Sequence, residues 1–110
     1  MKRNTNSTRG AKVLEKQIEA KVCDYAKERG MAVYKFTSPN RMAVPDRMFI
    51  YNARVFFIEF KRGGQKPTDA QEREHDRLRQ QKINVFVIDD VEKGKWVIDT
   101  MLDLMTLGVA

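Results

Sequence analysis

The chain has 110 residues, and 33% of them are charged, with 21 Lys and Arg against 15 Asp and Glu. This length suits one domain, and the single cysteine excludes both an internal disulfide framework and a Cys-cluster zinc site. No apolar run approaches the roughly 20 residues of a membrane span, so no membrane partner is expected.

The positive charge is concentrated in two segments. Residues 1–12 carry four basic side chains and no acid, which predicts a flexible basic tail ahead of a single domain, residues 13–110. A solvated terminus without a binding role is an equally common meaning of such a tail. Residues 27–66 hold nine basic against three acidic side chains. This block favours an anionic polymer as partner.

The first half of the chain predicts one helix and three strands. An apolar stripe at Leu14, Ile18, Val22 and Tyr25 predicts a helix over residues 13–29, and Gly30 is a typical stop after it. Strand-like runs follow at residues 32–36, 47–51 and 55–60. The segment between the first two strands, residues 37–45, holds two prolines and is predicted to be a loop.

The second half predicts two further helices around a fourth strand. Thr68 begins a helix through the Thr68-x-x-Gln71 spacing of a capping box, and this polar helix is predicted to run to about residue 81. A strand at residues 83–88, a turn at 89–95 and a helix at 97–107 complete the chain. The order αβββαβα predicts an α/β sandwich around a mixed sheet.

The third strand ends in charged residues. Alternation places Phe57, Glu59 and Lys61 on one face. A carboxylate at the end of so apolar a run is costly unless it is paired or bound to a metal. An ion pair of Glu59 with Lys61 at the solvent edge is the plain alternative, because such pairs are common.

The link between the second and third strands brings Asp46 beside Glu59. With a two-residue turn at Asn52-Ala53, residue 46 faces residue 59, and with a three-residue turn it faces residue 60. Two opposed carboxylates repel unless a cation lies between them. Oxygen ligands without His or Cys neighbours favour Mg²⁺ or Mn²⁺. Lys61 beside such a site can stabilise an oxyanion or orient a water.

Pro45-Asp46 followed by Glu59-Phe60-Lys61 resembles the PD-(D/E)xK nuclease superfamily. Over roughly residues 15–92 the chain is similar to the VRR-NUC family. It departs from the family pattern in one loop, which reads Asn40-Arg41-Met42-Ala43 where the family usually has a Gly-Arg-x-Gly type of sequence. The matching segments are Tyr34 to Pro39, Val44 to Arg47, Phe57 to Lys61, Lys66 to Gln71 and Val85 to Asp89.

The resemblance implies a restriction-endonuclease-like core and a metal-dependent nuclease. Mg²⁺ or Mn²⁺ would then be held by Asp46, Glu59, the Phe60 carbonyl and a carboxylate of the first helix. Glu19 fits that last position best, and Glu15 is its competitor. The family's lysine corresponds to Lys61 and its glutamine to Gln71, for which a pure capping role is equally compatible.

The same resemblance implies DNA as the partner. Small stand-alone proteins of this kind are associated with branched DNA such as four-way (Holliday) junctions, and paired cuts imply a homodimer. Cleavage of flaps or other DNA ends, or binding without catalysis, are the alternatives. We expect a cytoplasmic protein of a prokaryotic or phage-infected cell. The expected DNA contacts are Lys35, Ser38, Arg41, Arg47, Arg62 and Lys66.

Two further side chains invite a functional interpretation. His75 lies on the polar helix without a second His or Cys at ligand spacing, so we expect it at the surface. Cys23 lies beside the apolar stripe of the first helix, where a small buried residue is more typical than a nucleophile.

Overall fold

The computed structural model describes residues 7–110, with side chains from residue 14 onward. Helix α1 spans Ser7–Glu28 and therefore begins ahead of the predicted start at residue 13, within the segment expected to be a tail. The rest of that segment, residues 1–6, lies outside the described residues. The helix ends as predicted, because Gly30 adopts a φ of 92° and donates its N–H to the Lys27 carbonyl.

Four strands form one mixed sheet in the order β1-β2-β3-β4. The first three are antiparallel neighbours, and β4 runs parallel to β3. The element order and the mixed sheet confirm the predicted α/β class. The strands are β1 Ala32–Lys35, β2 Arg47–Tyr51, β3 Arg54–Phe60 and β4 Asn84–Ile88.

The β2–β3 hairpin adopts the first of the two predicted registers. Tyr51 pairs with Arg54, so the turn has two residues, and both Asn52 (φ 52°) and Ala53 (φ 63°) are left-handed. Such a pair matches the twist of the flanking strands. Continuing this register one step past the pair of Arg47 with Ile58 sets Asp46 opposite Glu59.

Helix α2 spans Asp69–Gln80, and helix α3 spans Val91–Leu107. The predicted capping box at the start of α2 is present. The predicted start of α3 at residue 97 is wrong, because Asp90 caps the helix by accepting the Lys93 N–H at 3.0 Å. Gly94, a turn residue in the prediction, lies inside this helix, and a Cβ there would come within 2.3 Å of Val22 Cγ2.

The main core lies between one face of the sheet and helices α1 and α3, and it includes Cys23 and Phe60. Cys23 is buried as predicted, and burial raises the pKa of its thiol to about 11, which keeps it protonated. Helix α2 contacts β4, and two of its side chains approach Glu59 on the opposite sheet face. None of the helices in the described part of the chain is long and apolar enough to cross a membrane.

Candidate active site

A cleft of about 640 Å³ opens between α1 and the loop that joins β1 to β2. Charged side chains of both signs line it, so it suits a polar ligand more than an apolar one. Glu59 and Lys61 are not part of the lining; they are buried beside it, with Glu59 only 3% and Lys61 only 8% exposed. The charged lining residues are Glu15, Lys16, Glu19, Lys35, Arg41, Asp46 and Arg62.

Asp46 and Glu59 form a partly desolvated carboxylate pair. Asp46 Oδ2 accepts the Phe60 N–H at 2.8 Å, which holds the carboxyl against β3. Burial raises the pKa of Asp46, and the Phe60 N–H acts in the opposite direction. Burial, and then the charge of Asp46, raise the pKa of Glu59 to about 7. The pair therefore resists carrying two negative charges at neutral pH unless a cation joins it.

Glu59 is held from two sides. Gln71 Nε2 donates to Glu59 Oε2 at 2.9 Å, and Lys61 Nζ lies 3.6 Å from the same oxygen. The Glu59–Lys61 pair is thus buried rather than placed at the solvent edge. The other oxygen, Oε1, has no hydrogen-bond partner within residues 14–110, so a buried acceptor is available for a further ligand or donor.

Both predicted α1 carboxylates line the cleft. Glu19 accepts a hydrogen bond from Arg47 Nε at 2.5 Å. Burial, and then the charge of Asp46, raise the pKa of Glu15, and the charge of Glu19 raises the pKa of Asp46. Either carboxylate therefore interacts with Asp46. Arg47, an expected phosphate contact, instead neutralises Glu19.

No three acidic, His or Cys side chains in the described part of the chain are arranged to share a metal ion. Each carboxylate accepts a hydrogen bond from a different partner: Glu19 from Arg47, Asp46 from the Phe60 amide and Glu59 from Gln71. The donors still fit a hard divalent cation, because they are carboxylate oxygens and one of them, Glu59 Oε1, is buried without a partner. Binding would draw at least one carboxylate from its present partner.

The expected DNA contacts divide into two groups. Lys35, Ser38, Arg41 and Arg62 line the cleft, whereas Lys66 is exposed outside it and Arg47 is paired with Glu19. Arg41 Nη1 lies 3.2 Å from Glu74 Oε1, which ties the loop to α2.

The structure corrects the predicted position of His75. The expectation of a surface position is wrong, because its side chain is 0% exposed, and Nε2 lies 4.0 Å from Glu59 Oε1. Burial, and then the positive charge of Arg79, lower the pKa of His75. The signal that could have found it is its position one helical turn after Gln71, which places both residues on one face of α2.

The comparisons with known proteins agree with this architecture. No protein-family model matches the chain. "Putative nuclease p44" of Acyrthosiphon pisum secondary endosymbiont phage 1 is 40% identical over 78 residues, which are 70% of this chain and 84% of the phage protein. A solved structure described as "VRR_NUC domain" matches with a TM-score of 0.71 at 26% identity, over 82% of this chain and 95% of that chain. Identity, coverage and shared fold together confirm the resemblance, and the chain belongs to the VRR-NUC family of nucleases.

Proposed function

We propose that this nuclease is a Mg²⁺- or Mn²⁺-dependent endonuclease that cuts branched DNA, such as four-way junctions, as a homodimer. The observation that carries the proposal is the Asp46–Glu59 pair beside a cleft lined by basic side chains. Acids in such a place repel phosphate unless a cation joins them. A cation is therefore part of the simplest account of their position.

The ligands of that cation would be Asp46, Glu59, the Phe60 carbonyl and Glu19, with Glu15 as the alternative from α1. When bound, the ion supplies Lewis-acid polarisation of the phosphoryl oxygen and a water of lowered pKa. Lys61 carries its ammonium 3.6 Å from Glu59, where it offsets negative charge that develops on the phosphate and orients the attacking water. Gln71 holds Glu59 in place through its amide.

Basic side chains on the cleft wall would hold the DNA backbone. Lys35, Ser38, Arg41 and Arg62 line the cleft, Lys66 extends the same path, and Arg47 joins it when Glu19 is released to the metal. Contacts to phosphate fix position without reading bases. This supports selection by DNA structure rather than by sequence.

A four-way junction is resolved by two symmetric cuts, and a two-fold dimer supplies two equivalent sites. The expected molar mass in light scattering at micromolar concentration is therefore twice that of one chain. A monomer mass under these conditions would contradict the dimer and leave the nuclease chemistry untouched.

The deciding experiment is a cleavage panel of labelled junction, flap, splayed and duplex DNA with Mg²⁺, Mn²⁺ or EDTA. Asp46→Asn and Lys61→Ala are expected to abolish cleavage and to spare binding, while Lys27→Ala, an exposed lysine outside the cleft, keeps both. Full activity of the first two variants refutes this mechanism. Preference for flaps favours the end-cutting alternative, and binding without cleavage of any DNA favours a non-catalytic module.

A further inference from the structure

The only histidine of the chain lies beneath the candidate site, and the chemistry proposed above does not use it. His75 is 0% exposed, and neither ring nitrogen has a hydrogen-bond partner within the described side chains. Glu59 Oε1 lacks one as well and lies 4.0 Å from His75 Nε2. Buried polar atoms without partners are costly and rare, so two that face each other require an explanation.

Helix α2 presents one polar side chain to each oxygen of Glu59. Gln71 and His75 stand four residues apart and therefore share a face of the helix. Gln71 Nε2 donates to Oε2 at 2.9 Å, and His75 Nε2 faces Oε1. The capping box at Thr68 fixes the first turn of the helix, so both side chains project from an anchored element.

We propose that His75 is a positioning residue for Glu59, to which its imidazole donates through Nε2–H. The donor reaches Oε1 after a side-chain rotation that shortens the gap by about 1 Å. Together with Gln71 it fixes the plane of the carboxylate and directs the remaining lone pairs towards Asp46.

The rival explanation is that His75 only fills space under the sheet. The two explanations differ in the Nε2 resonance, because a hydrogen bond from Nε2–H moves this resonance when the Glu59 acceptor is lost, whereas a ring that only packs keeps it. They also differ in which side chains can replace the imidazole, since Gln places its amide near Nε2 whereas Asn places it near Nδ1. Both differences are measurable in the intact protein.

The first test is the imidazole nitrogen spectrum of untagged protein labelled with ¹⁵N-histidine, in which one imidazole gives the entire signal. Nε2–H is expected at pH 7, with an Nε2 resonance that shifts in Glu59→Ala and, to a smaller extent, in Glu59→Gln. An Nδ1–H tautomer, or an Nε2 resonance that neither variant moves, would overturn the proposal. This result does not depend on the protein being a metal-dependent nuclease.

The second test is Mn²⁺ affinity measured by calorimetry without DNA, and this arm rests on the proposed function. His75→Leu is expected to weaken Mn²⁺ binding about tenfold, as loss of a ligand-orienting hydrogen bond typically does. His75→Gln restores most of the affinity and His75→Asn does not, at melting temperatures recorded for all three. Equal affinity of His75→Leu and the natural chain contradicts the proposal. If the natural chain binds no Mn²⁺, the metal assignment fails and the response of the Nε2 resonance to the Glu59 variants decides the role of His75.

Discussion

At the scale of single residues, the surroundings of Glu59 disfavour the charged form of its carboxyl group. Glu59 is 3% exposed, and its pKa rises from an ordinary 4.5 to about 7. The folded state therefore holds a proton that the unfolded chain releases near pH 4.5. Since the folded state binds more protons in that interval, the contribution of Glu59 to stability falls between about pH 4.5 and 7 and is constant above it.

Glu59→Gln should remove this loss. We compare the free energies of unfolding of Glu59→Gln and the natural chain in EDTA. Their difference should change by about 3 kcal/mol in favour of the variant between pH 4.5 and pH 8, since each pKa unit corresponds to about 1.4 kcal/mol. Urea denaturation at the two pH values measures the difference. Glu28→Gln, at an exposed position of α1, controls for the loss of a carboxylate as such. A stability difference independent of pH would contradict the shifted pKa.

The site residues differ in how well their positions can be predicted from the sequence. Asp46 and Glu59 could be paired in advance because strand alternation and a two-residue turn fix register by simple counting. His75 could not, because α2 buries only Glu74 and His75, so no apolar stripe marks its inner face. The pairing of Arg47 with Glu19 was equally hidden, since it depends on how α1 crosses the sheet.

At the scale of elements, the side chain of Gln71 both caps helix α2 and donates a hydrogen bond to Glu59. Gln71 Oε1 accepts the Thr68 N–H at 2.9 Å, and Nε2 donates to Glu59. The two interpretations of Gln71 that the sequence left open are therefore compatible in one rotamer. Substitutions can separate them, because the cap needs an acceptor and Glu59 needs a donor.

Gln71→Glu should keep the helix cap and lose the hydrogen bond to Glu59. Its carboxylate can still accept the Thr68 N–H but faces Glu59 with a like charge, so we expect cleavage to fall at least about tenfold. Thr68→Ala should do the reverse, costing about 1 kcal/mol of stability with cleavage largely kept. Urea denaturation and cleavage rates of both variants provide the comparison. If Gln71→Glu cleaves DNA at the rate of the natural chain, Gln71 is only a capping residue.

Gly94 shows why the start of α3 was mispredicted. A glycine among charged residues after a strand is typical of a turn, yet here it allows α3 to approach Val22 of α1. A Cβ at this position would lie 2.3 Å from Val22 Cγ2 and 3.3 Å from Ile88 Cγ2. The reason for the glycine is a contact distant in sequence, which local patterns do not contain.

Gly94→Ala should therefore destabilise the fold despite the better helix propensity of alanine. We expect a loss of about 1–3 kcal/mol from overpacking, measured by chemical denaturation. Val22→Ala in the same chain should recover part of it, because it removes the two methyl groups nearest the new Cβ. Gly63→Ala, whose Cβ would meet only a carbonyl oxygen at 3.9 Å, serves as the control. A stabilised Gly94→Ala would refute the close approach.

At the scale of the whole molecule, the fold divides the basic block that the charge count treated as one. Lys35, Arg41 and Arg62 line the cleft, and Lys16 of α1 joins them. Arg54 instead donates to the carbonyls of Asn52 and Gly108. Net charge alone therefore indicated an anionic partner. Only the fold indicates which basic side chains can contact that partner at the same time.

This division predicts the salt dependence of DNA binding. Each phosphate contact contributes about 0.9 to the slope of log affinity against log salt, so Arg62→Ala should lower the slope by about one unit. The loss should be similar on junction and duplex DNA, because both present the same phosphate backbone to a single arginine. Fluorescence anisotropy in EDTA at several salt concentrations measures both, with Lys27→Ala as the control that leaves the slope unchanged. A loss confined to junctions would instead make Arg62 a residue that recognises branching.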